Sequence, residues 1–281
     1  MNITKNIIVS GIHKKPILTD VFYLKNHIKK PVVIFAHGYK GYKDWGAWNL
    51  VANQFLKSNL VFVKFNFSHN GGTIEKPIDF TDLEAFGNNN FIKELDDLQS
   101  VIQWITQNDA LKVDCDFDNI NLIGHSRGGG IVLLKAASEP LVKKVITWSS
   151  VSDFGMRFPT GDALKKWQKD GVTYIDNART HQKMPLYFQF YQNFNENRDK
   201  LNICSAVKSL KIPQLIIHGT ADETVKPIEA ENLHKWNGNS ELFMVNHANH
   251  TFNSSQPWQD LKLPKELEKA VAKTIYFITP N

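Results

Sequence analysis

From Val32 onward the chain alternates short, continuous apolar runs with longer segments of helical period, and this alternation limits the fold more than any other feature. A run without polar alternation suits a strand buried on both faces, and helices between such strands supply the crossovers that parallel pairing needs. The runs are Val32 to Ala36, Val61 to Phe65, Ile120 to Ile123, Lys144 to Trp148, Gln214 to His218 and Glu241 to Val245. Helices are expected around Trp45 to Ser58, Asn90 to Gln107, Gly128 to Ser138, Ile228 to Trp236 and Lys265 to Phe277. Ahead of them, Asn6 to Ser10 and Ile17 to Leu24 alternate and flank a turn at Gly11 to Pro16, so they read as an antiparallel pair. The expectation is one α/β domain over residues 1–281, with a mostly parallel twisted sheet of about eight strands flanked by helices. One stretch breaks the pattern. Residues 149–209, after the sixth strand, are too long for an ordinary connection and rich in aromatic rings, so a lid or cap insertion is expected there.

Composition excludes several functions. The 33 basic and 28 acidic residues leave a net charge of +5, but the lysines are scattered, so no nucleic-acid partner is expected. Cys115 and Cys204 have no metal-ligand spacing and form no disulfide framework, which suits a reducing compartment. The first residues lack a signal-peptide pattern and no apolar run reaches membrane-spanning length, so a cytoplasmic protein without a membrane partner is expected. Histidines are frequent at strand ends, but no H-E-x-x-H or similar spacing accompanies them, so neither a metal nor a cofactor is expected. Nothing in the sequence sets an oligomeric state.

The chemistry is carried by Gly124-His125-Ser126-Arg127-Gly128, which follows the strand-like Asn119 to Ile123 and precedes the helix-like Ile131 to Ala137. Chance supplies a G-x-S-x-G in roughly one chain of this length in ten, so the flanking elements matter. Between a strand and a helix the turn is tight enough to force the serine into a strained conformation with its hydroxyl exposed. A serine hydroxyl is a poor nucleophile and needs a base, which in turn needs an acid. Asp222 follows the strand at Gln214 to His218, and His250 follows the last strand, both at the carboxyl edge where open α/β sheets place ligands. Asp153 is a rival acid, with Glu223 less favoured, and His247 is a rival base. His37, His125 and His218 stand at strand ends and read as structural support, while His69 and His181 carry no signal.

These residues resemble the α/β-hydrolase superfamily over nearly the whole chain, and within it the dienelactone-hydrolase-like and feruloyl-esterase-like serine hydrolases. The resemblance runs through His37-Gly38-Tyr39, Gly124 to Gly129, His218-Gly219 with Asp222, and His250-Thr251-Phe252. It implies a triad of Ser126, His250 and Asp222, favouring His250 over His247 because the family's histidine precedes a Thr-Phe-like pair. It also implies an oxyanion hole from the backbone N–H groups of Tyr39 and Arg127, so that replacing either side chain should matter less than replacing Ser126. Dienelactone hydrolases proper use a cysteine where this chain has Ser126, which points toward ester cleavage.

The expected function is therefore hydrolysis of a small-molecule carboxylic ester through an acyl-enzyme. A peptidase or amidase of the prolyl-oligopeptidase-like type is the first alternative, although the chain has no obvious Glu-Glu pair to anchor a peptide amino terminus. A catalytically silent binding protein on the same scaffold is the second. From the insertion, Phe154, Met156 and Tyr187 are expected to line an apolar pocket, and Arg157 and Arg179 to hold a substrate carboxylate.

Overall fold

A computed structural model describes residues 2–177 and 179–279. Among the described residues ten strands form: β1 Asn2–Ser10, β2 Pro16–Tyr23, β3 Lys30–Ala36, β4 Val61–Phe65, β5 Cys115–His125, β6 Val142–Trp148, β7 Val172–Asp176, β8 Lys183–Tyr187, β9 Gln214–Gly219 and β10 Glu241–Val245. Eight of them make one sheet in the order β1-β2-β4-β3-β5-β6-β9-β10. From β4 to β10 the pairing is parallel, and β1 and β2 join antiparallel at one edge. This is the mostly parallel sheet expected from the apolar runs, and its helices lie on both faces.

The helices are α1 Trp48–Lys57, α2 Leu83–Gly87, α3 Phe91–Thr106, α4 Arg127–Ala136, α5 Gly161–Asp170, α6 Gln189–Glu196, α7 Ile203–Ser209, α8 Ile228–Trp236 and α9 Lys265–Ile278. The continuous apolar runs are explained by two cores. Along β3, Val32, Ile34 and Ala36 pack with residues of α3, α4, α7 and α8, whereas Val33 and Phe35 face α1 and α9. Because side chains alternate across a strand, a sheet covered on both sides needs an apolar residue at every position.

Register brings the strand ends together. Ala36 pairs with Gly124, Gly124 with Thr147, and Trp148 with both His125 and Ile217, so β3, β5, β6 and β9 finish at one edge. The insertion between β6 and β9 contains α5, the antiparallel β7–β8 hairpin, α6 and α7. Sequence patterning found helical fragments here but missed the hairpin, whose strands alternate too briefly to stand out, and it missed the five-residue α2.

Candidate active site

The turn after β5 places Ser126. Its backbone has φ 57° and ψ −121°, a strained conformation for a residue with a side chain. Ser126 N–H donates to Trp148 O at 2.9 Å, which ties the turn to β6. The flanking glycines are required by space: a Cβ on Gly124 would lie 2.2 Å from Gly128 O, and one on Gly128 would lie 2.4 Å from Ala36 O. Helix α4 starts at the next residue, so the first N–H groups of the helix and its positive dipole end face the serine.

Ser126 Oγ lies 3.0 Å from His250 Nε2, and His250 Nδ1 lies 2.8 Å from Asp222 Oδ2. With Nδ1–H donating to the carboxylate, Nε2 is left to accept the serine proton. The Asp222 carboxyl is fully buried. Burial alone would push its pKa up, but hydrogen bonds from His218 and His250, the charge of His250 and the Val225 N–H outweigh it and hold the group well below the usual carboxylate range. Asp222 Oδ1 also accepts from Thr224 N–H and Val225 N–H, both at 2.9 Å, so the carboxylate caps its own turn and leaves Oδ2 for the histidines. Asp153 instead accepts from Gly155 N–H at 2.6 Å, and Glu223 and His247 are exposed.

The strand-end histidines hold the loops. His37 Nδ1–H donates to Gly38 O at 2.8 Å while its Nε2 accepts from Phe67 N–H at 3.2 Å. His125 Nε2–H donates to His250 O at 2.9 Å. His218 Nε2–H donates to Val225 O at 2.8 Å and sits 3.3 Å from Asp222. Burial holds His37 at about 4 and His125 at about 3, so both are neutral at pH 7. His69 meets Ser68 Oγ at 2.8 Å, and His181 lies on a turn of the insertion.

The loop after β3 comes up against the elbow. A Cβ on Gly38 would be 2.8 Å from the Ser126 Cβ, so only glycine lets the loop lie this close. Among the described residues neither Tyr39 N–H nor Arg127 N–H has an acceptor. Further along, the buried Lys43 ammonium is 2.9 Å from Asp20, which Lys64 also meets at 2.9 Å, and Lys43 N–H donates to Asn66 Oδ1 at 2.7 Å. Asp44 pairs with both lysines and, despite burial that would raise its pKa, is held at about 2. This charged cage fastens the loop to β2 and β4.

A cleft of about 340 Å³ opens at Ser126 and His250, walled by Trp45, Trp48 and Phe80, with Lys40, Asn177 and Arg179 also in its lining. A larger cavity, about 690 Å³, lies within the insertion, but Ser126, Asp222 and His250 are all absent from its lining, so the smaller cleft is the one that adjoins the candidate residues. Of the five insertion residues expected at the substrate, Arg179 alone lines the cleft at Ser126. It donates to Ile78 O at 2.9 Å and lies 3.7 Å from Asp79. Phe154 is buried, stacked on Phe91 of α3 with 3.9 Å between ring centroids. Met156 is 74 % exposed and lines the larger cavity. Arg157 pairs with Glu229, and the Tyr187 hydroxyl donates to Glu84. These four therefore lie outside the lining of the cleft at Ser126, each engaged with another part of the fold or, for Met156, open to solvent. Sequence reading missed Lys40, Trp45, Trp48 and Asn177; the nearness of the first three to His37-Gly38-Tyr39 was the signal that could have found them.

Among the described residues no group of three or more His, Cys, Asp or Glu side chains is arranged to hold a metal ion, and no helix is long and apolar enough to cross a membrane.

Known proteins share this architecture. Est1E from Butyrivibrio proteoclasticus, in a structure with ferulic acid bound, superposes with a TM-score of 0.70 at 18% identity over 97% of each chain. A dienelactone hydrolase from Anabaena variabilis superposes with a TM-score of 0.61 at 17% identity, over 98% of this chain and 96% of that one. In sequence, the rat (Rattus norvegicus) monoacylglycerol lipase ABHD6 is 28% identical over 193 residues, 69% of this chain but only 49% of the lipase, so the match spans about half of that relative. The BD-FAE family model matches residues 20–237, a span that runs from β2 through α8 and includes both the elbow and Asp222. The chain belongs to the BD-FAE family, within the α/β-hydrolase superfamily.

Proposed function

We propose that the protein is a serine hydrolase that cleaves a small carboxylic ester through an acyl-enzyme. The observation that carries this is the unbroken hydrogen-bond chain from Asp222 through His250 to Ser126, with two unpaired backbone N–H groups beside it. Ser126 Oγ attacks the ester carbonyl as its proton passes to His250 Nε2. The tetrahedral oxyanion accepts from Tyr39 N–H and Arg127 N–H, each donor contributing roughly 3 kcal/mol. His250 then protonates the departing alkoxide, and water, deprotonated by the same imidazole, releases the acid from Ser126. Asp222 keeps Nδ1 protonated and stabilises the imidazolium.

The aromatic walls at Trp45, Trp48 and Phe80 favour an ester with an aromatic or apolar group. The lipase and ferulic-acid relatives support an ester rather than an amide. Arg179 and Lys40 suit a carboxylate carried elsewhere on the substrate, and the tip of the β7–β8 hairpin, which brings Asn177 and Arg179 to the cleft, serves as its partial lid. The two cysteines, both free, suit a cytoplasmic location.

An ester and amide panel on wild type beside Ser126→Ala tests the proposal. Aryl esters should turn over and aminoacyl amides should not, and the alanine variant should lose about 10⁶-fold in kcat. Wild-type turnover by Ser126→Ala would sink it.

A further inference from the structure

We infer that the Arg127 side chain is a positioning residue that sets the spacing of the two oxyanion donors and links it to the insertion. Tyr39 N–H belongs to the loop after β3 and Arg127 N–H to the first residue of α4, so two separate segments must present donors to one oxygen, each at about 2.7–3.1 Å. Their own side chains join them. The Arg127 guanidinium carbon lies 3.9 Å from the centroid of the Tyr39 ring, and Nη1 is 3.1 Å from Glu94 Oε1 on α3. The Arg127 side chain is 12% exposed and that of Glu94 only 3%, so this ion pair is largely shielded from water.

The Tyr39 ring also stacks on Phe86 of α2, 5.7 Å between centroids. The Tyr39 hydroxyl is buried and has no partner among the described residues, so the ring rather than the hydroxyl does the holding. Glu94 is itself steadied by Asn89, whose side-chain N–H donates to it at 2.8 Å. The guanidinium also lies 5.1 Å from the ring centroids of Phe91 and of Phe190, the latter on α6 of the insertion. A planar cation between rings is a geometry that lysine does not reproduce. The insertion thus reaches the oxyanion hole from behind, through Phe190 and Arg127, without lining the cleft at that point.

The clamp matters only if Ser126 is the nucleophile proposed above, and the two ideas fail differently. Loss of turnover in Ser126→Ala tests the nucleophile; Arg127→Met, measured beside it, tests the clamp. Methionine keeps an apolar side chain among the rings while removing the cation. The variant should lose at least ~10-fold in kcat with KM within about twofold, and phosphonylation of Ser126 by a fluorophosphonate should slow by the same factor, since each reaction places an oxyanion in the hole. Arg127→Lys should recover only part of the loss. Because Arg127→Met alone leaves Glu94 buried without its partner, Arg127→Met combined with Glu94→Gln is made as well, with thermal unfolding confirming that it folds. Tyr39→Leu keeps the backbone donor and removes the ring, so it should lose activity similarly, and combining it with Arg127→Met should add little. Arg198→Met, which removes a guanidinium 5.8 Å from the Phe194 ring away from the cleft, is the control and should turn over as wild type does. Wild-type kcat in a folded Arg127→Met, a change confined to KM, or full additivity with Tyr39→Leu would overturn the inference.

Discussion

At the carboxyl edge of the sheet, Ser126, Asp222 and His250 are held by backbone: a strained φ, glycines packed against carbonyls, and histidines that donate to main-chain oxygens. Where the insertion meets α3, the holding is done by side chains, chiefly Phe154, Phe158, Phe190 and Phe194 gathered about Phe91. Backbone geometry tolerates almost no substitution but sets atoms within tenths of an ångström, which suits bond-making groups. Ring packing tolerates exchange of size and shape, and it suits a surface that decides what is admitted. The comparison predicts that changes at the edge act on turnover, whereas changes in the insertion act on stability or selectivity.

After Ser126 itself, the largest expected effect is at Asp222. Asp222→Asn keeps the shape but leaves His250 without a carboxylate to orient it, and kcat should fall by about 10⁴. Its pKa is lowered on folding, so its stabilising contribution is present above the unfolded carboxylate pKa and is lost as pH falls toward the folded value. Acid unfolding followed by circular dichroism should therefore be flatter in Asp222→Asn than in wild type. If the variant turned over normally, the edge would not be the seat of chemistry.

Phe154→Ala should show the opposite character. Removing a buried ring stacked at 3.9 Å should cost about 3–5 kcal/mol in denaturant unfolding, with kcat of the folded fraction within a few-fold of wild type. A large loss of kcat without loss of stability would put Phe154 at the cleft after all. Arg179→Gln should raise KM for a carboxylate-bearing ester by about 3–10-fold and change a neutral ester much less, because this guanidinium is partly open to solvent. The smallest effect belongs to Met156→Ala. At 74 % exposure its loss should stay within about 0.5 kcal/mol and leave the kinetics unchanged.

The same contrast explains what could be read in advance. The parallel strands were legible because burial on both faces leaves runs such as Val32 to Ala36 without polar interruption. Ser126, Asp222 and His250 were legible as candidates because each lies within a few residues of a strand end, and strand ends in such a sheet share an edge. The insertion was not. Its rings carry no period that tells a core ring such as Phe154 from a cleft ring, and an arginine pairs with whatever carboxylate folding brings near, Glu229 for Arg157 and Asp79 for Arg179. The contact of Arg127 with Tyr39 was hidden for the same reason, since it joins residues that are distant in sequence and depends on rotamers.

The histidine that abstracts the proton in the proposed mechanism follows β10, an edge strand of the sheet, which among the described residues pairs only with β9 and whose first four residues are exposed or half-buried. An edge strand is the part of a sheet that opens at least cost, and although Val245 and Phe252 on either side of His250 share a core cluster with Trp48 and Trp148, those tryptophans are also held by Phe35 of β3 and, through Trp148, by Thr274 of α9. On warming, the proposed hydrolase activity should go silent before the protein melts. The temperature at which ester turnover is lost should lie below that at which buried tryptophan fluorescence changes, and cooling from between the two should restore activity in full.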